Sequence, residues 1–178
     1  MKRYILILFI ILLFLPSCGK TNDGSKNSGT ATINNVLNWD NTRQTWFSYG
    51  FLFSSGKLVS ILDTPSPDIT VDNDGTLGDI RLLDNNFSDS FFKAGEFSSS
   101  KSAIQAFDSL MKPVVLQWVV WADSLKPNQI WLYKSGSSHY SKLRIISTDS
   151  EVRSNKNYAE CTFEWVYQPD GSLTFPGK

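Results

Sequence analysis

The stretch YAECTFEWVY, residues 158–167, gives the strongest indication of the fold class of this chain. Apolar or aromatic side chains stand at every odd-numbered position from 159 to 167, and polar ones stand at 160, 162 and 164. Because successive side chains of a β-strand point to opposite faces, the pattern predicts a strand with one face in a core. Glu160 and Glu164 on the other face would lie about 13 Å apart, too far for the paired carboxylates of glycoside hydrolysis. The simplest interpretation is that both glutamates lie on a solvent-exposed face of the strand.

The residues before this stretch predict two more strands. Residues 129–134 (QIWLYK) and 139–147 (HYSKLRIIS) flank the turn sequence SGSS, and Leu143 and Ile145 alternate with Lys142 and Arg144. A loop is expected over residues 148–157. After residue 167, Pro-Asp-Gly at 169–171 predicts a turn into a final short strand, 172–175.

Two β-hairpins are predicted in the first half of the chain. Residues 46–53 and 57–62 are rich in aromatic and β-branched side chains and flank Ser-Ser-Gly at 54–56. Pro65 and Pro67 then interrupt the pattern, since proline cannot donate to a ladder. Residues 69–71 and 79–83 flank Asp-Asn-Asp-Gly at 72–75 and predict a shorter hairpin.

One segment, residues 101–111, has a clear helical pattern. A serine at 98–100 can cap its open amides, Pro113 stops it, and its apolar residues share one face: Ala103, Ile104, Phe107, Leu110 and Met111. Residues 114–125 are apolar nearly throughout; Lys-Pro-Asn at 126–128 favours a helix over 117–125, whereas the β-branched residues favour a strand. The predicted fold class is mostly β (α+β), an antiparallel sheet or sandwich with one or two covering helices.

The N-terminus is typical of a bacterial lipoprotein. Lys2 and Arg3 precede an apolar run, residues 4–15, that is shorter than the roughly 20 residues of a membrane-spanning helix. The run ends in LPSC, residues 15–18, which has the form of a lipobox. We therefore expect residues 1–17 to be a signal peptide and Cys18 to be the lipidated first residue of the mature protein, held to a membrane by lipid alone.

The rest of the chain divides into a tether and one domain. Residues 18–35 are mostly polar and without apolar periodicity, which predicts a flexible tether, and residues 36–178 have the length of a single mostly-β domain. Loss of Lys2 and Arg3 leaves 15 basic against 17 acidic residues, a balance that argues against a nucleic-acid partner. Cys161 is then the only other cysteine, so no intramolecular disulfide is expected.

The chain is poor in catalytic and metal-binding patterns. His139 is the only histidine, there is no G-x-S-x-G elbow, and a zinc site needs more histidine and cysteine ligands than are present. An EF-hand loop starting at Asp72 would need glycine where Leu77 stands. Cys161 on the apolar face is expected to be a buried small hydrophobe.

Trp118, Trp121 and Trp131 are candidates for stacking on a ligand, although a core role is the simpler interpretation for each tryptophan.

Residues 140–147 (YSKLRIIS) and 158–171 (YAECTFEWVYQPDG) resemble the closing strands of HmuY-like lipoproteins of the Bacteroidota, and the lipobox fits the same setting. The resemblance covers roughly the last 50 residues. It implies a mostly-β, lipid-anchored protein of the outer membrane, and it raises haem as a ligand. If two axial side chains hold haem here, the mature chain offers His139 and Met111, although a solvent-exposed His139 and a core Met111 are the simpler interpretations.

These observations favour a non-enzymatic, lipid-anchored binding or accessory protein of the cell envelope without a resident cofactor or metal. Its partners would be the membrane, through the anchor, and a small-molecule ligand or an envelope protein. A haem or porphyrin carrier is the alternative within binding. An envelope enzyme acting on glycan or peptide is the alternative from another class.

Overall fold

The computed structural model describes residues 27–76, 78–86 and 88–177. In this part of the chain twelve strands and one helix form. In chain order they are β1 (Ser28–Asn34), β2 (Asn38–Asp40), β3 (Thr45–Phe47), β4 (Tyr49–Leu52), β5 (Lys57–Ser60), β6 (Ile69–Asn73), β7 (Ile80–Asp84), β8 (Phe91–Glu96), α1 (Ser100–Ser109), β9 (Trp121–Ala122), β10 (Gln129–Lys134), β11 (Tyr140–Arg153) and β12 (Lys156–Gln168).

The strands build two five-stranded antiparallel sheets and one small ribbon. The first sheet has the order β1-β12-β11-β10-β8, the second has the order β5-β4-β6-β7-β9, and β2 pairs only with β3. Every strand pair is antiparallel. The predicted mostly-β class with antiparallel sheets and a covering helix is therefore confirmed.

The main core lies where the two sheets face each other. Phe163 of β12 packs edge-on against Phe51 of β4 with ring centroids 5.5 Å apart, and Trp165 lies 5.2 Å from the same Phe51 ring. All three side chains are almost fully buried. The alternation in residues 158–167 places its apolar face here, as predicted, and the Cys161 thiol is fully buried among these side chains. Burial raises the pKa of this thiol, which keeps it protonated.

A second apolar cluster covers the outer face of the first sheet. Phe107 of α1 packs with Ile130, Leu132, Val166 and Phe175. This explains why β10 and the first half of β11 are buried on both faces. Ser99 caps the helix through its side chain, which accepts from the Ser102 amide, so the predicted helix and its cap are confirmed.

A buried lysine ties the end of α1 to the sheet. The Lys142 ammonium donates to the carbonyl oxygens of Phe107 and Leu110 at 2.6 and 3.1 Å, and it lies 4.7 Å from the centroid of the Phe107 ring. A cation at a helix C-terminus satisfies carbonyls that lack partners within the helix and opposes the negative end of its dipole. The alternation over 139–147 would have placed this side chain in solvent, but the helix covers it.

The predicted loop over residues 148–157 is wrong, because β11 and β12 continue as a long hairpin. The pair Arg153 and Lys156 closes it around Ser154 and Asn155, whose φ values are +49° and +61°. Two positive-φ residues make the tight turn whose twist suits a hairpin. Ser154 and Asn155 lack the glycine by which such a turn is usually found in sequence.

The helix favoured over residues 117–125 is also wrong. Val119 forms an isolated bridge to Phe91, and Trp121–Ala122 is the edge strand β9 beside β7. The β-branched and aromatic content of the segment was the better guide. No helix in the described residues combines the length and hydropathy needed to cross a membrane.

Two boundaries differ from the prediction. Ser28–Asn34, assigned to the tether, is strand β1 and pairs along its whole length with β12. Residues 172–175, predicted to be a strand, have no regular structure, although Phe175 is buried and its amide donates to the Met111 carbonyl at 2.8 Å. The predicted signal peptide and Cys18 lie outside the described residues.

Candidate functional site

A cleft of about 720 Å³ opens beside the projecting β11–β12 hairpin. The hairpin tip forms one wall, segment 35–37 and β3 form another, and β6 and β7 contribute to the floor. We call it the apolar cleft, because its lining includes Val36, Leu37, Trp46, Val71, Leu83 and Tyr158. Its volume is within the usual range for small-molecule sites.

Hydrogen bonds fix both walls of the apolar cleft. Asn35 continues the pairing of β1 with β12: its side chain accepts from the Ala159 amide at 2.9 Å and donates to the Asn157 carbonyl at 3.0 Å. On the hairpin, the Ser150 hydroxyl accepts from the Asn73 side chain and from the Gly78 amide, each at 3.0 Å. These contacts position the segment that follows β1 and the β11–β12 hairpin on two sides of the cleft.

The apolar wall of this cleft is exposed to solvent. Trp46 is 58% exposed, Leu37 49% and Val36 44%. The Trp39 ring packs edge-on against Trp46 with centroids 5.3 Å apart, which orients the indole. Contiguous exposed apolar side chains in a concave frame are typical of a binding surface.

Charged groups stand at the hairpin side of the apolar cleft. The Arg153 guanidinium lies 3.3 Å from the centroid of the Tyr158 ring and pairs with Asp149 and Glu151. Lys156 has no ion-pair partner among the described residues. Burial and a hydrogen bond to Glu160 raise the pKa of Tyr158, so it stays a neutral phenol at neutral pH.

A second cleft, of about 580 Å³, has a different lining. It lies between the segment 63–68, the turn 135–139 and β12, and we call it the polar cleft. The side chains that matter here are Asp63, Asp68, Ser137, His139 and Tyr167. No lysine or arginine is part of this lining.

Asp68 is the distinctive group of the polar cleft. Its Oδ2 accepts from the Phe53 amide at 2.8 Å, whereas Oδ1 has no hydrogen-bond partner among the described residues. Burial raises the pKa of this half-buried carboxyl to about 6, with a further contribution from the Asp84 carboxylate, although the Phe53 hydrogen bond and His139 act in the opposite direction. Near neutral pH it therefore carries a negative charge that the fold disfavours.

A buried network lies behind Asp68. The Tyr133 hydroxyl lies 2.9 Å from Asp84 Oδ1 and 3.1 Å from the Asp68 carbonyl oxygen, and Asp84 Oδ2 accepts from the Ser88 and Ser90 hydroxyls at 2.7 and 3.2 Å. Burial, with the carboxylates of Asp68 and Asp84, raises the pKa of Tyr133 far above its usual value. These contacts hold the Asp68 backbone in place from behind.

The raised pKa of Asp68 predicts a pH effect on stability. The folded protein prefers the protonated acid. The contribution of Asp68 to stability is therefore fully present below the pKa of the unfolded chain and is lost as pH rises through about 6. Asp68→Asn keeps the acceptor for the Phe53 amide, and we expect its free energy of unfolding at pH 7.5 to be about 1–2 kcal/mol higher than that of the wild type. At pH 4 the two should agree, and urea denaturation at both pH values measures the difference.

The control for this prediction is Asp89→Asn. Asp89 is exposed and carries no hydrogen bond or ion pair in the described residues, so its substitution should leave the pH profile of the wild type unchanged. A pH profile of Asp68→Asn parallel to that of the wild type would contradict the assignment.

The two residues suggested as haem ligands lie in different places. His139 borders the polar cleft, where its Nδ1 is 2.8 Å from the Ser137 hydroxyl and its ring centroid is 6.0 Å from that of Tyr167. Met111 lies beyond the end of α1, is 47% exposed, and lines neither cleft. The core position expected for Met111 is wrong, and the structure does not bring it to a common cleft with His139.

The three candidate stacking tryptophans also line neither cleft. Trp118 stacks on Tyr140, Trp121 lies beneath the Arg81 guanidinium, and Trp131 is buried and donates from Nε1 to Gln129. Trp131 and Trp118 have the packing role that was the simpler interpretation.

Sequence reasoning missed the residues that build the clefts. Trp46 lies in a predicted strand, Val36 begins the predicted domain, and Asp68 lies in none of the predicted elements. The available signal was limited to three apolar residues around Asn38, namely Val36, Leu37 and Trp39, with Trp46 seven residues further on. Glu164, expected in solvent, pairs with Arg144 at 2.8 Å.

The described residues contain no group of three or more histidine, cysteine, aspartate or glutamate side chains placed to hold a metal ion. No protein-family model, curated protein or solved structure matches the chain. The two clefts are therefore the candidate functional sites of the described residues.

Proposed function

We propose that this chain is a non-enzymatic, lipid-anchored binding protein of the cell envelope whose site is the apolar cleft. The main support for the proposal is that Trp46, Leu37 and Val36 form an exposed apolar wall of a cleft of about 720 Å³. Leaving large apolar side chains in water forgoes about 25 cal/mol per Å² of stabilisation, which a ligand recovers on binding.

The lining indicates the class of ligand. An indole face and two aliphatic side chains suit a flat or branched apolar body. Lys156 at the hairpin side, which has no ion-pair partner among the described residues, suits a negatively charged or polar end, whereas Arg153 is already paired with Asp149 and Glu151. We therefore propose an amphipathic small molecule with an apolar body and an anionic group.

The anchor gives the proposed location. The signal peptide, residues 1–17, would direct export, and lipid attached to Cys18 would then hold the mature protein on a membrane of the envelope; the outer membrane fits the resemblance described above. Absence of a catalytic motif in the sequence supports binding over catalysis.

The test is a titration of the mature protein, from Cys18 onward, with anilinonaphthalene sulfonate, an aromatic anion whose fluorescence rises in apolar sites. We expect saturable binding that Trp46→Ala weakens about tenfold or more, because the indole face is the largest exposed contact in the cleft. At the same probe concentration, the intrinsic tryptophan fluorescence should change less for Trp46→Ala than for the wild type.

The matched control is Trp121→Ala. Trp121 is 38% exposed and lies outside the cleft, so its removal should leave the affinity unchanged. Equal affinities for wild type and Trp46→Ala, or an equal loss in both variants, would overturn the assignment of the site.

A further inference from the structure

The polar cleft is a second candidate binding site, and the evidence for it does not depend on the apolar cleft. Its frame holds a carboxylate, Asp68, with one oxygen fixed by the Phe53 amide and the other without a hydrogen-bond partner in the described part of the chain. The second acid of the lining, Asp63, is already engaged: it accepts from the Ser60 amide and pairs with Arg43 at 3.7 Å. Asp68, in contrast, has no lysine or arginine partner among the described residues.

The surroundings of Asp68 favour a positive ligand. The Asp84 carboxylate lies behind it in the buried network, and neither lysine nor arginine lines the cleft. The Tyr167 ring forms part of the lining, and aromatic faces attract cations. Ser135 and Ser137 add hydroxyl oxygens that can accept from N–H donors.

We propose that the polar cleft binds an organic cation, an alkylammonium or guanidinium group that donates to Asp68 Oδ1 while its carbon body lies against Tyr167. Binding supplies the opposite charge that the fold withholds from this carboxylate, so the cation stabilises the ionised acid and the acid selects the cation. A cleft of about 580 Å³ accommodates a ligand of several carbons.

The proposal predicts pH-dependent affinity. Only the ionised acid attracts the ligand, so affinity should fall roughly tenfold between pH 7.5 and pH 5 as Asp68 takes up its proton. Asp84 and Tyr133 face Asp68 from the network, and Asp63, His139 and Tyr167 face the same cleft. Imidazoles protonate in this pH range, so the titration is repeated with His139→Gln, in which the fall should persist.

The experiment follows backbone amide NMR signals of the mature protein in detergent during titration with agmatine, cadaverine and tetramethylammonium. Pentanol, glutarate and maltotriose serve as neutral, anionic and polyhydroxyl comparisons. We expect agmatine or cadaverine to shift the amides of Phe53, Asp68 and His139 saturably at pH 7.5. Asp68→Asn should weaken this binding at least tenfold, with Asp89→Asn and Trp46→Ala unchanged.

Each other outcome overturns the proposal. No saturable shift from any cation up to 10 mM (roughly −3 kcal/mol), equal affinity in Asp68→Asn, or binding of maltotriose or glutarate in place of the cations would do so. Because Trp46→Ala tests the apolar cleft, failure at one cleft is distinguishable from failure at the other.

Discussion

Phe163→Ala is expected to lower the free energy of unfolding by about 3–5 kcal/mol. Phe163 has no exposed surface and lies between the two sheets, where its ring meets those of Phe51 and Phe53 at 5.5 and 6.5 Å. Removing the ring loses its transfer free energy and leaves a cavity that two hydrogen-bonded sheets cannot close. The melting temperature should fall by about 10 °C or more, measured by circular dichroism.

Two further variants serve as controls for Phe163→Ala. Phe163→Leu retains most of the volume and should cost less than half as much, whereas Val152→Ala, on the exposed part of the hairpin, should change stability by less than about 0.5 kcal/mol. A loss below about 1 kcal/mol for Phe163→Ala would contradict the placement of this ring at the centre of the sandwich.

Gly50→Ala is expected to destabilise the fold by about 3 kcal/mol through overpacking. A Cβ at position 50 would stand 2.4 Å from the Ile69 carbonyl oxygen and 2.6 Å from the Pro67 Cβ. Both neighbours belong to a segment that pairs with β4 only at Phe51 and Ile69, so relief of the clash would separate β4 from β6. Urea denaturation measures the loss.

Gly29→Ala is the matched control, since it makes the same change on another strand. There the nearest atom to the added Cβ is Trp165 Nε1 at 3.5 Å, an ordinary contact. We expect a change within about 0.5 kcal/mol. If both glycine variants have the stability of the wild type, the close approach of β4 to β6 is wrong.

The sequence predicted the elements that have a regular apolar pattern or a high β propensity. Residues 158–167 form a strand with one face in the main core, and the turns at 54–56 and 72–75 join paired strands. The first hairpin is shorter than predicted, because residues 46–47 belong to β3 and pair with β2. Residues 129–134 are a strand with both faces buried, indicated by their aromatic and β-branched content, and the predicted helix α1 packs on the sheet through Phe107.

The errors occur in segments that lack a regular buried face. Residues 114–125 lie along irregular backbone and a two-residue strand, so their apolar content had no period to interpret. Residues 148–153 extend into solvent as a hairpin and so lack an apolar face. Strand β1 consists mostly of small and polar residues. It is held to β12 by backbone hydrogen bonds, and such pairing cannot be predicted from composition.

The clefts were beyond the reach of sequence for a different reason. Each assembles residues far apart in the chain, as with Val36, Trp46 and Tyr158 in one cleft, and Asp68 and His139 in the other. Only the topology of the two sheets brings them together. The lipobox at Cys18 and the resemblance to HmuY-like lipoproteins, being local patterns, could be found in sequence and stay predictions.

The position of β1 has a mechanical consequence. Its Ser28 end leads towards the N-terminus, and its Asn34 end leads directly into the wall of the apolar cleft. Tension between an N-terminal anchor and an object held in that cleft would therefore run along the strand axis. The seven residue pairs between β1 and β12 would then bear this force together, in shear, and would not separate one after another from one end. Strand β1 is thus the element through which a tethered protein of this design would resist being pulled from its support.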